Sequence, residues 1–173
     1  RDSAFSKPRF HVEIPFGWMR PGEQQLPYSA TDFYSVYNCA AVSDASRHIT
    51  LCSVEAPLAQ FGGVRTDEWR DFFSADNGTI VSYAFNNHWY TNYRPTQSGP
   101  MHFNYAFRAG GGFDTSAASR FGLEIASQPA VRIIGEPQEG SAQLSAKQGS
   151  FLPIAGDAIM TAFNKAEDGN GYV

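Results

Sequence analysis

Val36-Tyr-Asn-Cys-Ala-Ala-Val-Ser-Asp-Ala-Ser-Arg-His-Ile-Thr-Leu-Cys-Ser-Val54 reads as two strands, residues 36–42 and 49–54, folded back through Ser43-Asp-Ala-Ser-Arg-His48. A hairpin centred between Ala45 and Ser46 sets Cys39 directly opposite Cys52. In that register the two sulfurs are neighbours. A cross-strand disulfide and a pair of buried free thiols both satisfy it, and a change of one residue in the loop would move the pair apart.

Outward from this hairpin the pattern stays β. Phe10-His-Val-Glu-Ile14 alternates apolar and polar residues, as do Thr79-Ile-Val-Ser-Tyr-Ala-Phe85 and Met101-His-Phe-Asn-Tyr-Ala-Phe107. In the last of these Met101, Phe103, Tyr105 and Phe107 share one face, so half-buried strands are expected. Asp76-Asn77-Gly78 is turn chemistry before one strand, and Gly110-Gly-Gly112 breaks the chain after another. Two short segments read helical. They are residues 66–73 and 114–121, the second with Asp114 or Thr115 as cap and Gly122 as its stop. Neither is long enough to cross over a parallel sheet, so the expected fold class is all-β, an antiparallel β-sandwich with short helices.

A chain of 173 residues holds one sizeable core, or one and part of a second. Charged residues make up only 17%, the net charge is −4 and the basic residues are scattered, which argues against nucleic acid or an anionic membrane as partner. No apolar run approaches the roughly 20 residues of a membrane span, and residues 1–10 lack the apolar core of a signal peptide. A soluble chain is expected, its compartment open, with a periplasmic or secreted setting allowed. A first residue of Arg and a strand-like end at Tyr172-Val173 predict a piece of something longer.

The stretch from Ala84 to Gly99, Ala-Phe-Asn-Asn-His-Trp-Tyr-Thr-Asn-Tyr-Arg-Pro-Thr-Gln-Ser-Gly, sets aromatics, a His and an Arg among amide side chains. A pyranose ring offers an apolar C–H face for stacking and a rim of hydroxyls that amides bind as donor and acceptor. Trp89 or Tyr90 would stack on a sugar, with Asn87, Asn92 and Arg94 on its hydroxyls. The plainer reading packs Trp89 in the sandwich and spends the amides on edge backbone groups.

Signatures of catalysis are missing. The chain has no G-x-S-x-G, no P-loop, no G-x-G-x-x-G after a strand, and no C-x-x-C or H-x-x-x-H metal spacing. Glycoside hydrolysis needs two carboxyl groups about 5 to 9.5 Å apart, and no pattern nominates a pair. Glu55, Asp67, Glu68, Asp71 and Asp114 read as turn, cap or solvated residues, and His11, His48, His88 and His102 as packed or solvated ones. Asn77-Gly78-Thr79 is a glycosylation acceptor sequence on an expected surface turn.

Several blocks occur in a familiar order: Arg20-Pro-Gly22, Ser29-Ala-Thr-Asp-Phe-Tyr-Ser-Val36, Val42-Ser-Asp44, Glu55-Ala-Pro-Leu58 with Phe61-Gly62, and Asn86-Asn-His-Trp-Tyr-Thr-Asn-Tyr93. After them come Phe113-Asp114, Arg120-Phe-Gly122, Glu124, Pro129 and Ala162-Phe-Asn-Lys-Ala-Glu-Asp-Gly-Asn-Gly171. Over nearly its whole length the chain resembles the C-terminal β region of family-38 glycoside hydrolases, the α-mannosidases. It departs from that pattern at Tyr28, where a Gly is common, and at Cys39, where a bulky aromatic is common.

The resemblance implies a retaining glycosidase whose aspartate nucleophile and zinc ion, held by two His and two Asp, belong to a catalytic domain outside this sequence. No catalytic residue, metal ligand or cofactor is therefore assigned to the chain itself. It implies that residues 1–138 are part of a large mutarotase-like β-sandwich and residues 139–173 the start of a smaller one, with Gly135-Glu-Pro-Gln-Glu-Gly140 as the linker turn. The expected partners are the catalytic domain of the same polypeptide and a carbohydrate, mannosides in particular. A stand-alone carbohydrate-binding or structural β module is the competing reading, and an autonomous enzyme with a carboxylate pair on the sandwich the third.

Overall fold

Eight strands and one helix form among the described residues of the computed structural model, which are 5–66, 70–85, 96–127, 129–131, 135, 149–150 and 152–173. The strands are β1 Arg9–Ile14, β2 Gly17–Met19, β3 Tyr34–Ser35, β4 Cys39–Ser43, β5 His48–Ser53, β6 Leu58–Phe61, β7 Ile80–Ser82 and β8 Tyr105–Gly110; the helix is α1, Thr115–Ala126. All pairings are antiparallel, in a five-stranded sheet of order β2-β1-β4-β5-β8 and a three-stranded sheet of order β3-β6-β7. The expected antiparallel all-β class is what the chain adopts, as a small two-sheet sandwich. By contacts it divides into two compact units, Arg1–Ala126 and Ser127–Val173.

The β4–β5 hairpin takes the register expected from its loop, with Ser43 opposite His48 and Cys39 opposite Cys52. Asp44 closes it. Its Oδ1 accepts from the amides of Ser46 and Arg47 at 2.8 and 3.0 Å, and its Oδ2 from the amide of Ser6 at 3.0 Å. These hydrogen bonds, those from Ser46 and Ser6 foremost, hold its carboxyl far below the usual carboxylate range. Cys39 and Cys52 are joined as a disulfide, so the chain uses the bonded alternative.

Alternation then distributes side chains to two layers. Phe10 and Val12 of β1 and Ala40 and Val42 of β4 point at the smaller sheet, where they bury against Tyr34, Ala59 and Phe61. Phe61 is the pivot, with ring centroids 4.9 Å from Phe10 and 5.2 Å from Tyr34. The opposite face carries the disulfide, and α1 lies over it through Phe121 and Ile125, with Trp18 and Ala106 at the margins. Covered on both sides, β4 is buried along its whole length, which suits its run of small residues Cys39-Ala40-Ala41.

Helix α1 begins where the sequence placed it. Asp114 Oδ1 accepts from the amide of Ala117 at 2.9 Å, leaving Asp114 as the cap. It does not stop at Gly122. That glycine faces the sheet, where an added Cβ would lie 2.9 Å from Cys39 Sγ and 3.0 Å from Asn38 Cβ. Close approach of helix to disulfide, rather than termination, is its use. Of the other expected helix, residues 66–73, Thr66 and residues 70–73 are irregular, and Asp67, Glu68 and Trp69 lie outside the described residues. Phe73 packs instead on the core, edge-on to Phe10 at 5.9 Å, a tertiary contact that outweighs weak helix propensity.

Two strands also differ from expectation. β7 is only three residues long, and β8 starts at Tyr105, with residues 101–104 irregular. The face with Tyr105 and Phe107 is the open one, Phe107 being 76% exposed, while Ala106 turns to the helix layer. β8 is the edge strand of its sheet, and a small residue, Ala106, is what packs beside Cys52 in the helix layer.

Within Ser127–Val173, Lys165 and Tyr172 bridge around a tight turn, with Asn164 and Val173 exchanging both backbone hydrogen bonds at 2.9 and 2.8 Å. Gly169 and Gly171 supply left-handed backbone there, and Phe163 stacks on Tyr172 at 4.8 Å.

Candidate functional site

One end of the sandwich gathers aromatic side chains. β1, β5 and β7 finish there and β4, β6 and β8 begin, while β5 runs into β6 by crossing between the sheets through residues 54–57. Glu55 ties the entry of β8 to that crossing: its Oε2 accepts from the amide of Asn104 at 2.6 Å and its Oε1 from Asn104 Nδ2 at 2.7 Å. Both bonds hold its carboxyl below the ordinary range. Tyr105 and Ser82 share a hydrogen bond of 3.0 Å between hydroxyls, and Phe33 meets Tyr83 edge-on at 5.0 Å. Phe33, Tyr37, Phe85 and Tyr105 are all exposed, Tyr37 by 59%.

Beside the aromatics lies a small cleft of about 50 Å³ between the start of β4, the end of β5 and the last turn of α1. Tyr37, Asn38, Ser53, Val54, Ile125 and Ala126 line it. The backbone amide of Tyr37 donates to the Glu13 carbonyl at 2.8 Å, which fixes the approach to β4. Asn38 stands close enough to Glu13 to ease its charge, yet its buried Nδ2 makes no hydrogen bond of good geometry to any described residue. Ser53 Oγ accepts from the amide of Ala56 at 3.2 Å.

Under α1 runs a third polar cluster. Glu13 is buried; burial pushes its carboxyl up, while Ser119 and the amide of Cys39, the latter donating to Oε2 at 3.1 Å, pull the other way. Trp18 Nε1 donates to Ser119 Oγ at 2.8 Å. His11 Nε2 and Ser43 Oγ are 2.8 Å apart, and Phe113 stacks on the His11 ring at 4.1 Å. A Ser–His contact invites a nucleophile reading. Ser43 is buried in the sheet and the ring is capped by Phe113, so this pair serves the helix layer.

Of the residues singled out from sequence, Asn87, Trp89, Tyr90, Asn92 and Arg94 lie outside the described residues, and so does His88. Of the carboxylates read as turn, cap or solvated residues, Asp114 caps α1 and Glu55 clamps Asn104. Asn77 is half-buried, its Nδ2 donating to the Gly62 carbonyl at 3.1 Å and its Oδ1 accepting from the amide of Thr79 at 2.9 Å. The acceptor nitrogen is thus engaged in the fold. Tyr37 and Asn38 were not singled out; their signal is an aromatic and an amide directly before a strand of small buried residues. Among the described residues no group of three or more His, Cys, Asp or Glu is placed to hold a metal ion.

No family model, no curated protein and no solved structure matches this chain.

Proposed function

We propose that this chain is a non-catalytic β region of a glycoside hydrolase of the α-mannosidase kind, and that its aromatic end meets carbohydrate. The observation that carries the reading is the exposure of Phe33, Tyr37, Phe85 and Tyr105 at one end of the sandwich. Exposed rings grouped with amides suit the two sides of a sugar, its C–H face and its hydroxyl rim. Asn87, Trp89, Tyr90, Asn92 and Arg94 would add to that set. The open face of β8 and β5, with Phe107, Tyr105 and Ile49, suits a docking neighbour, and the catalytic domain of the same polypeptide is the proposed one. Zinc and the nucleophilic aspartate belong to that domain.

The test is a titration of the chain with methyl α-mannoside and mannobiose, followed by tryptophan fluorescence and calorimetry. The reading expects saturable binding that Trp89→Ala or Asn92→Ala weakens at least about tenfold, which is about 1.4 kcal/mol, with unchanged Tm. Absence of saturable binding to any glycan, or variants that lower Tm and leave binding alone, would overturn it in favour of a purely structural β module.

A further inference from the structure

We propose that the Cys39–Cys52 disulfide is a redox switch for the docking of α1: with the bond made the helix lies closed on the sheet, and with the bond reduced by a dithiol the helix undocks. The geometry is that of a cover. Both cysteines are buried, and Gly122 of α1 stands so near that an added Cβ would lie 2.9 Å from Cys39 Sγ. An exchanging thiolate must reach a sulfur of the bond, so the helix has to lift before reduction can begin.

Reduction then denies the helix its former seat. The first thiolate of the reductant attacks one sulfur, forming a mixed disulfide and releasing the other cysteine. Its second thiolate attacks the reductant's own sulfur in that mixed disulfide and releases the first cysteine. The reductant is left oxidised as a disulfide, and the protein holds a pair of thiols that have taken up the electrons and a proton each. Unbonded sulfurs stand farther apart than bonded ones, and a close-packed layer with Gly122 already against Cys39 resists the added volume.

The contrast between the two layers decides that α1, and not the sandwich, responds. The layer towards the smaller sheet closes on Phe10, Val12, Val42, Tyr34 and Phe61, all buried. Under α1 the buried set is Cys39, Cys52 and Phe121, with Trp18, Ala106 and Ile125 only partly covered around it. That side also buries the Glu13 carboxyl and Thr50 Oγ1, the hydroxyl without a partner among the described residues. Water satisfies such groups once the helix lifts, which favours the open state. As the last element of its unit, Arg1–Ala126, α1 can leave without any strand changing partners. Local opening of this kind costs less than global unfolding, and by linkage whatever loosens docking also eases reduction.

The experiment is amide hydrogen exchange of the oxidised chain and of the chain reduced with dithiothreitol, joined to the rate of reduction in excess reductant. Reduction is expected to remove protection across residues 115–126 and to leave that of β1 and β6. Gly122→Ala, which holds the helix off the sulfurs, should speed reduction about tenfold. Glu13→Gln keeps an acceptor for the Cys39 amide, removes the buried charge and should slow reduction; it decides alone if Gly122→Ala does not fold. Unchanged protection of α1 after reduction overturns the switch. Loss of protection in every strand at once also overturns it, since the bond would then staple the whole fold. Reduction rates equal to the parent's in the folded variants overturn α1 as the cover.

Discussion

Thr50 shows how a single atom sets stability. It is 1% exposed on the helix side of β5, and its Oγ1 has no hydrogen-bond partner among the described residues. A buried hydroxyl without a partner costs about 1–3 kcal/mol, and valine has nearly the same shape. Thr50→Val is therefore expected to raise the unfolding free energy by about 1 kcal/mol, read from urea midpoints at constant m-value. His11 acts through its proton. Burial, with the nearby Arg20 and Arg9 guanidinium groups and His48 adding to it and Glu23 opposing, lowers its pKa to about 4. The unfolded chain takes up that proton near the ordinary value of about 6.5, so stability is full above that pH and falls as pH drops towards 4. After discounting for the partly open ring the loss is about 1–2 kcal/mol. Glu13, raised by burial, has the opposite sign and offsets part of it. Comparing the chain with His11→Gln at pH 7 and pH 5 isolates the histidine; an equal acid loss in both would refute its role.

Elements were legible where local chemistry dictated them. The β4–β5 register followed from loop length, and the start of α1 from Asp114, because a turn and a cap are decided within a few residues. The stop assigned to Gly122 and the buried face assigned to Phe107 failed for a common reason: both depend on what lies across the sheet. A glycine against a disulfide and a glycine at a helix end look alike in one dimension. Gly122→Ala tests the distinction. A termination role predicts little change or a gain in helix stability, whereas the 2.9 Å at which an added Cβ would meet Cys39 Sγ predicts a loss of about 1–3 kcal/mol from overpacking, measurable as a lower Tm. Tyr28 is a related case. It is exposed in a left-handed conformation, φ 64°, a backbone that favours glycine and that the sequence does not announce. The aromatic end was not legible: Tyr37 and Asn38 come beside the end of β5 only through the pairing of distant strands, which no local pattern announces.

For the molecule as a whole, the disulfide joins the central strand β4 to its neighbour β5 at the layer where α1 docks, with both sulfurs buried. Chain-entropy arguments for a loop of this length, 13 residues apart in sequence, put its contribution near 3 kcal/mol. Cys39→Ala with Cys52→Ala is expected to lose about 2–4 kcal/mol, and the same shift should follow reduction of the intact chain in a thermal melt with and without dithiothreitol. A change below the error of the melt would show that packing of α1 alone holds this layer. The turn at Asn77 carries another consequence, for chemical ageing rather than folding. In an open chain an asparagine followed by glycine loses ammonia readily, because the next backbone nitrogen swings round to attack the side-chain amide. Here that side chain is held from both ends, by the Gly62 carbonyl and the Thr79 amide, and Gly78 is pressed against Phe5 and Val42. The attack needs a rotation that the packed turn withholds, so deamidation at this pair becomes a record of how long the chain has spent unfolded.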